Sequence, residues 1–204
     1  MGHHLKPVRS PLFTLKSVVA FSSTKPSKHM KETKVSIGLI NPKNPSNVGA
    51  VMRAAGCFGV DAVFYTGGRF PRAAKFQTDT KDVSQTIPLT GVECLLENVD
   101  EGTAIVCIEL VEGATPLTEY QHPDNALYVF GPEDGTISQE VVDRADAVVY
   151  VPTTGCLNLA ATVNVVLYDR LAKSNHTIAH DELIRQSRDT NNKVKVKTRA
   201  GRLA

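Results

Sequence analysis

The chain has 204 residues, 42% of them hydrophobic and 6% aromatic with no Trp, which suits one domain with appendages. No apolar run approaches the roughly 18–20 residues of a membrane helix, so a soluble protein is expected. The net charge of +2 is unevenly spread: residues 1–30 carry five Lys/Arg and no acid, residues 31–174 eleven against eighteen Asp/Glu, and residues 175–204 seven against three. An acidic body with two basic ends is the asymmetry of a protein that meets a polyanion through its arms, the plainer reading being solvated ends without a partner.

Residues 1–30, MGHHLKPVRSPLFTLKSVVAFSSTKPSKHM, are basic and acid-free, and Met30 offers an internal start. Three origins stay open: an appended or mistranslated leader, which the paired His3 and His4 favour, an organelle-type presequence, or an arm that contacts the polyanion. The fold is therefore read from residue 31, with a body over 31–174 and a basic C-terminal tail over 175–204.

Within the body, VSIGLI (35–40), AVFYTG (62–67), AIVCIEL (104–110), ALYVFG (126–131) and AVVYVP (147–152) are short apolar runs rich in Val, Ile and Tyr. They read as strands buried on both faces. Helical patterns lie between them at Ser46–Phe58, Val92–Val99, Ser138–Ala145 and Leu157–Lys173. In the first, Val48, Val51, Met52 and Ala55 form an apolar stripe and Ser46 is the expected N-cap. In the last, Leu159, Val163, Val166, Leu167 and Leu171 form the apolar face. The fold class is α/β, a mainly parallel sheet with helices on both faces. The end NNKVKVKTRAGRLA is too polar and basic to pack and is expected to be mobile.

Cysteine and histidine placement excludes several chemistries. Cys57, Cys94, Cys107 and Cys156 are widely spaced with no CxxC pair, which fits reduced thiols in a cytoplasm rather than a disulfide framework. Five of the six His lie in the two ends, leaving His122 in the body, read as a loop residue before a proline. A His/Cys metal cluster or a Ser-His-Asp triad would need more. No metal site is expected.

Unusual residues collect in three loops that follow strands, where open α/β sheets gather ligands. In NPKNPSNVGAVMR (41–53), Asn44, Ser46 and Asn47 offer hydrogen-bonding groups, Gly49 permits close backbone approach, and Arg53 is suited to bidentate phosphate contact. A well-capped helix whose Arg pairs with a surface carboxylate explains the same residues. In FGPEDGTIS (130–138), Glu133 stands at a strand end before a helix, either in a plain turn or as a partner that orients the Arg. In VPTTGCLNLAATVNVVLYD (151–169), a small-residue loop feeds a long helix, which reads as a core helix or as a flank for a partner subunit.

In this order the three segments resemble the SpoU/TrmH family of RNA methyltransferases in the SPOUT superfamily. Asn47, Gly49, Arg53, Phe58 and Gly59 match its Asn-x-Gly-x-x-x-Arg motif with the following Phe-Gly, and VFGPEDGTIS is close to its Phe-Gly-Pro-Glu motif. Pro152, Leu157, Asn158, Tyr168 and Asp169 match its third motif, except that Cys156 replaces the usual Ser. The resemblance spans about residues 35–173. It implies a C-terminal trefoil knot, which topology rules alone would discount, and a homodimer with the last helix at the interface. It also implies S-adenosylmethionine bound near Leu110, Gly131, Val151, Cys156 and Leu159, largely through backbone. The implied reaction methylates a ribose 2′-hydroxyl of RNA, with tRNA favoured over rRNA because no further folded RNA-binding domain is visible.

By the same resemblance Arg53 acts beside the partner subunit's cofactor. A guanidinium is almost never deprotonated in proteins, so Arg53 is expected to hold the adjacent phosphate and stabilise developing alkoxide charge rather than serve as base. Glu133 is expected to orient Arg53, while Asn47 and Asn158 hold the substrate or the helix start. Two relatives of this reading stay open, a non-catalytic RNA-binding homologue and a base methyltransferase on the same fold. A plain nucleotide-binding α/β protein is the reading without the family, but GxGxxG and a ribose-binding acid are missing.

Overall fold

The five apolar runs become five neighbouring strands of one sheet, and their burial explains their composition. The computed structural model describes residues 33–74, 87–174 and 180–196. The basic N-terminal segment read above lies outside the described residues, as does the tail beyond residue 196. Among the described residues there are seven parallel strands: β1 (Val35–Leu39), β2 (Ala62–Tyr65), β3 (Leu89–Gly91), β4 (Ala104–Ile108), β5 (Thr115–Pro116), β6 (Ala126–Phe130) and β7 (Ala147–Tyr150). Their spatial order is β3-β2-β1-β6-β4-β7-β5. β1 and β6, at the middle, are buried at every residue. That is why both are continuous apolar runs and not alternating ones.

Along β6, Ala126, Tyr128 and Phe130 pack on one face with Val51, Met52, Val163 and Val166. Leu127 and Val129 pack on the other with Leu95, Leu96 and Ile137. The first face is covered by α1 (Pro45–Phe58) and α4 (Leu159–Lys173), which pack against one another. The second carries a 3₁₀ turn at Leu95–Glu97 and the flank of α3 (Gln139–Asp143). Burying the side chains of one face at roughly 2 kcal/mol each makes this core the dominant stabilising term.

Several local expectations change. Asn44, not Ser46, is the N-cap of α1: its side chain accepts the Ser46 N–H at 2.9 Å, and Pro45 occupies the first turn, where a missing N–H costs nothing. The Val92–Val99 pattern yields only the 3₁₀ turn, since β-branched Val92 and Val99 and Asn98 are weak helix formers and Asn98 Nδ2 donates to the Cys94 carbonyl instead. Leu171, expected on the buried face of α4, is 38% exposed. Two short helices carried no clear signal: α2 (Arg69–Ala74) after β2, and α5 (His180–Ser187) in the basic tail. Strands β3 and β5, of three and two residues, were likewise invisible to a periodicity argument.

Register places the site. Leu39 pairs with Phe130, Phe130 with Ile108, and Ile108 with Val149, so β1, β6, β4 and β7 end in one row. The loops that follow them share one edge of the sheet.

Candidate active site

Glu133 is carried just beyond β6 on the Gly131-Pro132 turn. Its carboxylate accepts hydrogen bonds from the backbone N–H of Lys43 (2.8 Å), the backbone N–H of Asn44 (3.1 Å) and Asn47 Nδ2 (3.0 Å). Asn47 Oδ1 accepts from Asn158 Nδ2 at 3.0 Å. Asn158 Oδ1 caps α4 by accepting the N–H of Ala160 (2.9 Å) and Ala161 (3.4 Å). The relay assigns each amide: Asn47 must turn its NH₂ to the carboxylate, which leaves its oxygen for Asn158. Burial opposes ionisation of Glu133, but the Asn47 amide and the surrounding backbone N–H groups outweigh it and hold the carboxyl below the usual glutamate range.

All three sequence motifs therefore meet in one hydrogen-bonded chain, Glu133–Asn47–Asn158. Arg53 is not part of it. Its side chain is exposed and makes no hydrogen bond or ion pair among the described residues. Glu133 was expected to orient Arg53, and its acceptors face the entry of α1 instead. The reason is helical geometry: six residues at about 100° each leave Asn47 and Arg53 about 120° apart around α1. With no partner among the described residues, Arg53 is placed to meet an external anion.

A second bracing group was missed by the sequence reading. Arg69, at the start of α2, donates through Nη1 to both oxygens of Asp134 (2.7 and 3.0 Å) and through Nε to the Asn41 carbonyl (2.9 Å). This ion pair holds the Asp134 carboxyl below its usual range. Asn41 itself has a left-handed φ of 42°, and a Cβ on Gly67, at φ +75°, would lie 2.3 Å from Asn41 Oδ1. Only glycine leaves room for that loop. The signal was the Gly67-Gly68-Arg69 run at the end of β2.

Beside the relay is a cleft at the ends of β4, β6 and β7. Leu110, Gly131, Val151, Cys156 and Leu159 all line it, together with Glu109 and Glu133. A Cβ on Gly131 would lie 3.0 Å from Glu109 Oε2, so the glycine lets the carboxylate close against the strand end. The cleft has main-chain edges, apolar walls and two carboxylates, with no Lys, Arg or His among the described residues that line it. Such a lining fits a largely apolar ligand with a positive centre and fits a polyphosphate poorly.

His122 has a structural place that the sequence did not reveal. Its side chain is 4% exposed and bridges the Tyr128 hydroxyl (2.6 Å, Nδ1) and Asp169 (2.9 Å, Nε2). Asp169 also pairs with Lys173 at 2.8 Å, and Lys173 and Arg170 donate to backbone carbonyls of the 117–124 loop. The network pins the end of α4 to that loop, at the amino-end side of β6 and away from the cleft. Among the described residues no group of His, Cys, Asp or Glu could hold a metal ion, and no helix is long and apolar enough to cross a membrane.

Known proteins bear on this geometry. Residues 34–168 match the SpoU rRNA Methylase family. The fold is similar to that of a TrmH/SpoU tRNA modifying enzyme from A. aeolicus, at 22% identity and a TM-score of 0.58, over 69% of this chain and 75% of that one. It is similar to a protein solved for the 2-OH methylation of C/U34 on tRNA, at 23% identity and a TM-score of 0.59, over 69% and 91% of the two chains. It also resembles the SpoU methyltransferase AviRb from Streptomyces viridochromogenes in complex with AdoMet, at 19% identity and a TM-score of 0.57, over 70% of this chain and 58% of that one. No curated protein matches. A match that runs through all three motifs and covers most of the sheet and its helices makes the chain a member of the SpoU RNA methylase family.

Proposed function

We propose that this protein is an S-adenosylmethionine-dependent methyltransferase acting on a ribose 2′-hydroxyl of RNA, with tRNA favoured over rRNA. The observation that carries the reading is the meeting of the three motifs through Glu133, Asn47 and Asn158 beside a cleft with no basic side chain among the described residues that line it. Two structurally similar proteins are described by tRNA modification and by 2-OH methylation of tRNA, which supports the preference for tRNA. AviRb, solved with AdoMet, supports the cofactor.

S-adenosylmethionine supplies an activated methyl group when bound. Leu110, Gly131, Val151, Cys156 and Leu159 hold it by backbone and apolar contact. The protein's remaining task is alignment of the nucleophile, which alone can supply several kcal/mol. Arg53 holds an RNA phosphate and stabilises charge developing on the attacking oxygen, while a phosphate oxygen or water takes the proton. Glu133 acts through the α1 entry: it fixes Asn47, Asn47 fixes Asn158, and these amides present the substrate side of the site. The basic ends add phosphate contacts to the one that Arg53 makes from the acidic body.

The reading includes the family's homodimer and trefoil knot. Val165 and Tyr168, 38% and 64% exposed on the outer side of α4, supply an apolar face for a second copy. Arg53 then serves the partner's cleft. The four thiols, none in a disulfide, fit a reducing cytoplasm. One observation favours a second reading: Cys156, exposed in the cleft where the family usually has Ser, suits a non-catalytic RNA-binding homologue.

Calorimetry with S-adenosylmethionine, followed by nucleoside analysis of tRNA and rRNA incubated with protein and cofactor, tests the proposal. The expected product is a 2′-O-methylated nucleoside from tRNA. Cofactor binding with no methylated nucleoside supports the non-catalytic reading, and a methylated base would move the chemistry off the ribose.

A further inference from the structure

The cleft contains a carboxylate that no motif accounts for. Glu109 follows β4 directly, at the strand end that faces the cleft. Its Oε1 accepts the Leu110 N–H at 2.9 Å and its Oε2 accepts the Ile137 N–H at 3.0 Å. These two backbone donors pin the side chain in place, and each oxygen retains a free acceptor site. No Lys or Arg pairs with it among the described residues, and no lining residue of the cleft is basic. The other carboxylate there, Glu133, is already engaged by Lys43, Asn44 and Asn47. Glu109 is thus a positioned negative charge with no paired cation among the described residues, in a partly enclosed site where charge is poorly screened.

We propose that Glu109 makes the cleft selective for a cationic sulfonium over the neutral thioether left when the methyl group departs. The inference rests on the proposed use of the cleft for S-adenosylmethionine. Substrate and product share adenine, ribose and the amino-acid end and differ in the methyl group and the positive charge it places on sulfur, so a fixed carboxylate acts on the charge difference between them. Before transfer it favours the loaded form. After transfer that attraction is gone, which assists product release. Methyl transfer itself does not require Glu109; its effect lies in which ligand occupies the site.

Calorimetric Kd values for S-adenosylmethionine, S-adenosylhomocysteine and sinefungin, which carries an amine in place of the sulfonium, test this on the wild type and Glu109→Gln. The variant should weaken the two cationic ligands by about five- to tenfold and S-adenosylhomocysteine by no more than about twofold, the size expected for one partly screened charge pair. Retained S-adenosylhomocysteine affinity also reports that the cleft is intact. Glu109→Asp, which keeps the charge, serves where the amide disturbs folding, and its ratio of the two affinities should stay within about twofold of wild type. Equal weakening of all three ligands by Glu109→Gln would assign the residue to a group they share, such as the ribose, and overturn the inference alone. A wild-type protein that binds none of them overturns the reading of the cleft as well.

Discussion

Asn158 Nδ2 donates to Asn47 Oδ1 at 3.0 Å, joining the first turn of α4 to the first turn of α1 across 111 residues of sequence. The same Asn158 side chain caps α4 through its oxygen, so capping and coupling use opposite ends of one amide. They can be separated. Asn158→Asp keeps an acceptor for the Ala160 N–H but cannot donate to Asn47. Its folding stability should stay within about 1 kcal/mol of wild type, while methyl transfer falls by about tenfold or more through lost alignment. Thermal melting and single-turnover rates check both halves. Unimpaired turnover would reduce the link to a packing contact.

Gly49 lies on α1 with nothing within 4 Å of where a Cβ would be. Glycine in a helix interior costs roughly 0.5–1 kcal/mol relative to alanine. Gly49→Ala should therefore stabilise the protein by about that amount. If an RNA backbone approaches this open side, the same substitution should weaken RNA binding. A more stable protein with unchanged RNA affinity would leave the glycine without the assigned purpose.

Arg53→Ala should nearly abolish methyl transfer and leave S-adenosylmethionine affinity within a few-fold. The side chain is exposed and has no partner among the described residues, so its loss should not disturb folding. Comparable losses in transfer and in cofactor affinity would move Arg53 into the cofactor site.

His122 predicts a pH dependence of stability. Burial lowers its pKa below 6.5, outweighing the hydrogen bond and charge of Asp169, which raise it. The unfolded chain therefore binds a proton at a pH where the folded chain does not. The stabilising contribution is complete above 6.5 and is lost as pH falls through 6.5 toward the lower folded value. Denaturant unfolding across that window should show the decline, and His122→Gln should flatten it while lowering stability at neutral pH, because the Tyr128 and Asp169 contacts are altered.

Residues 175–204, with seven Lys/Arg against three acids, follow an acidic body. Their removal should weaken RNA binding and flatten its salt dependence, since each lost phosphate contact reduces the slope by about 0.7 for single strands. The proposed dimer and cofactor affinity should persist, because α4 and the cleft lie upstream. Identical salt slopes with and without the segment would show that it makes no phosphate contacts.

The main strands and the two long helices were legible because each carries its own physical signal. β1 and β6 are buried on both faces and so are continuously apolar, and Val48, Val51, Met52 and Ala55 recur at helical spacing because one side of α1 meets the sheet. The five residues expected around the cofactor share a cleft because three strands end in register, and strand ends are marked by the turn residues that follow them. Elements of two or three residues, such as β5 and β3, carry no period long enough to detect.

Sequence alone determined the α/β class, the order of the five longer strands and the two long helices, and the three loops that carry unusual chemistry, since backbone propensity and burial leave a local trace. Only the tertiary structure decided who partners whom. Glu133 binds the entry of α1 and not Arg53, Arg69 braces Asp134, His122 is a buried bridge to Asp169, and Glu109 faces the cleft. Each of these is a contact between residues 28 or more positions apart or the aim of one side chain into a shared space. Such facts depend on strand register and on the angular position of a residue around its helix, and no local pattern in a chain encodes them.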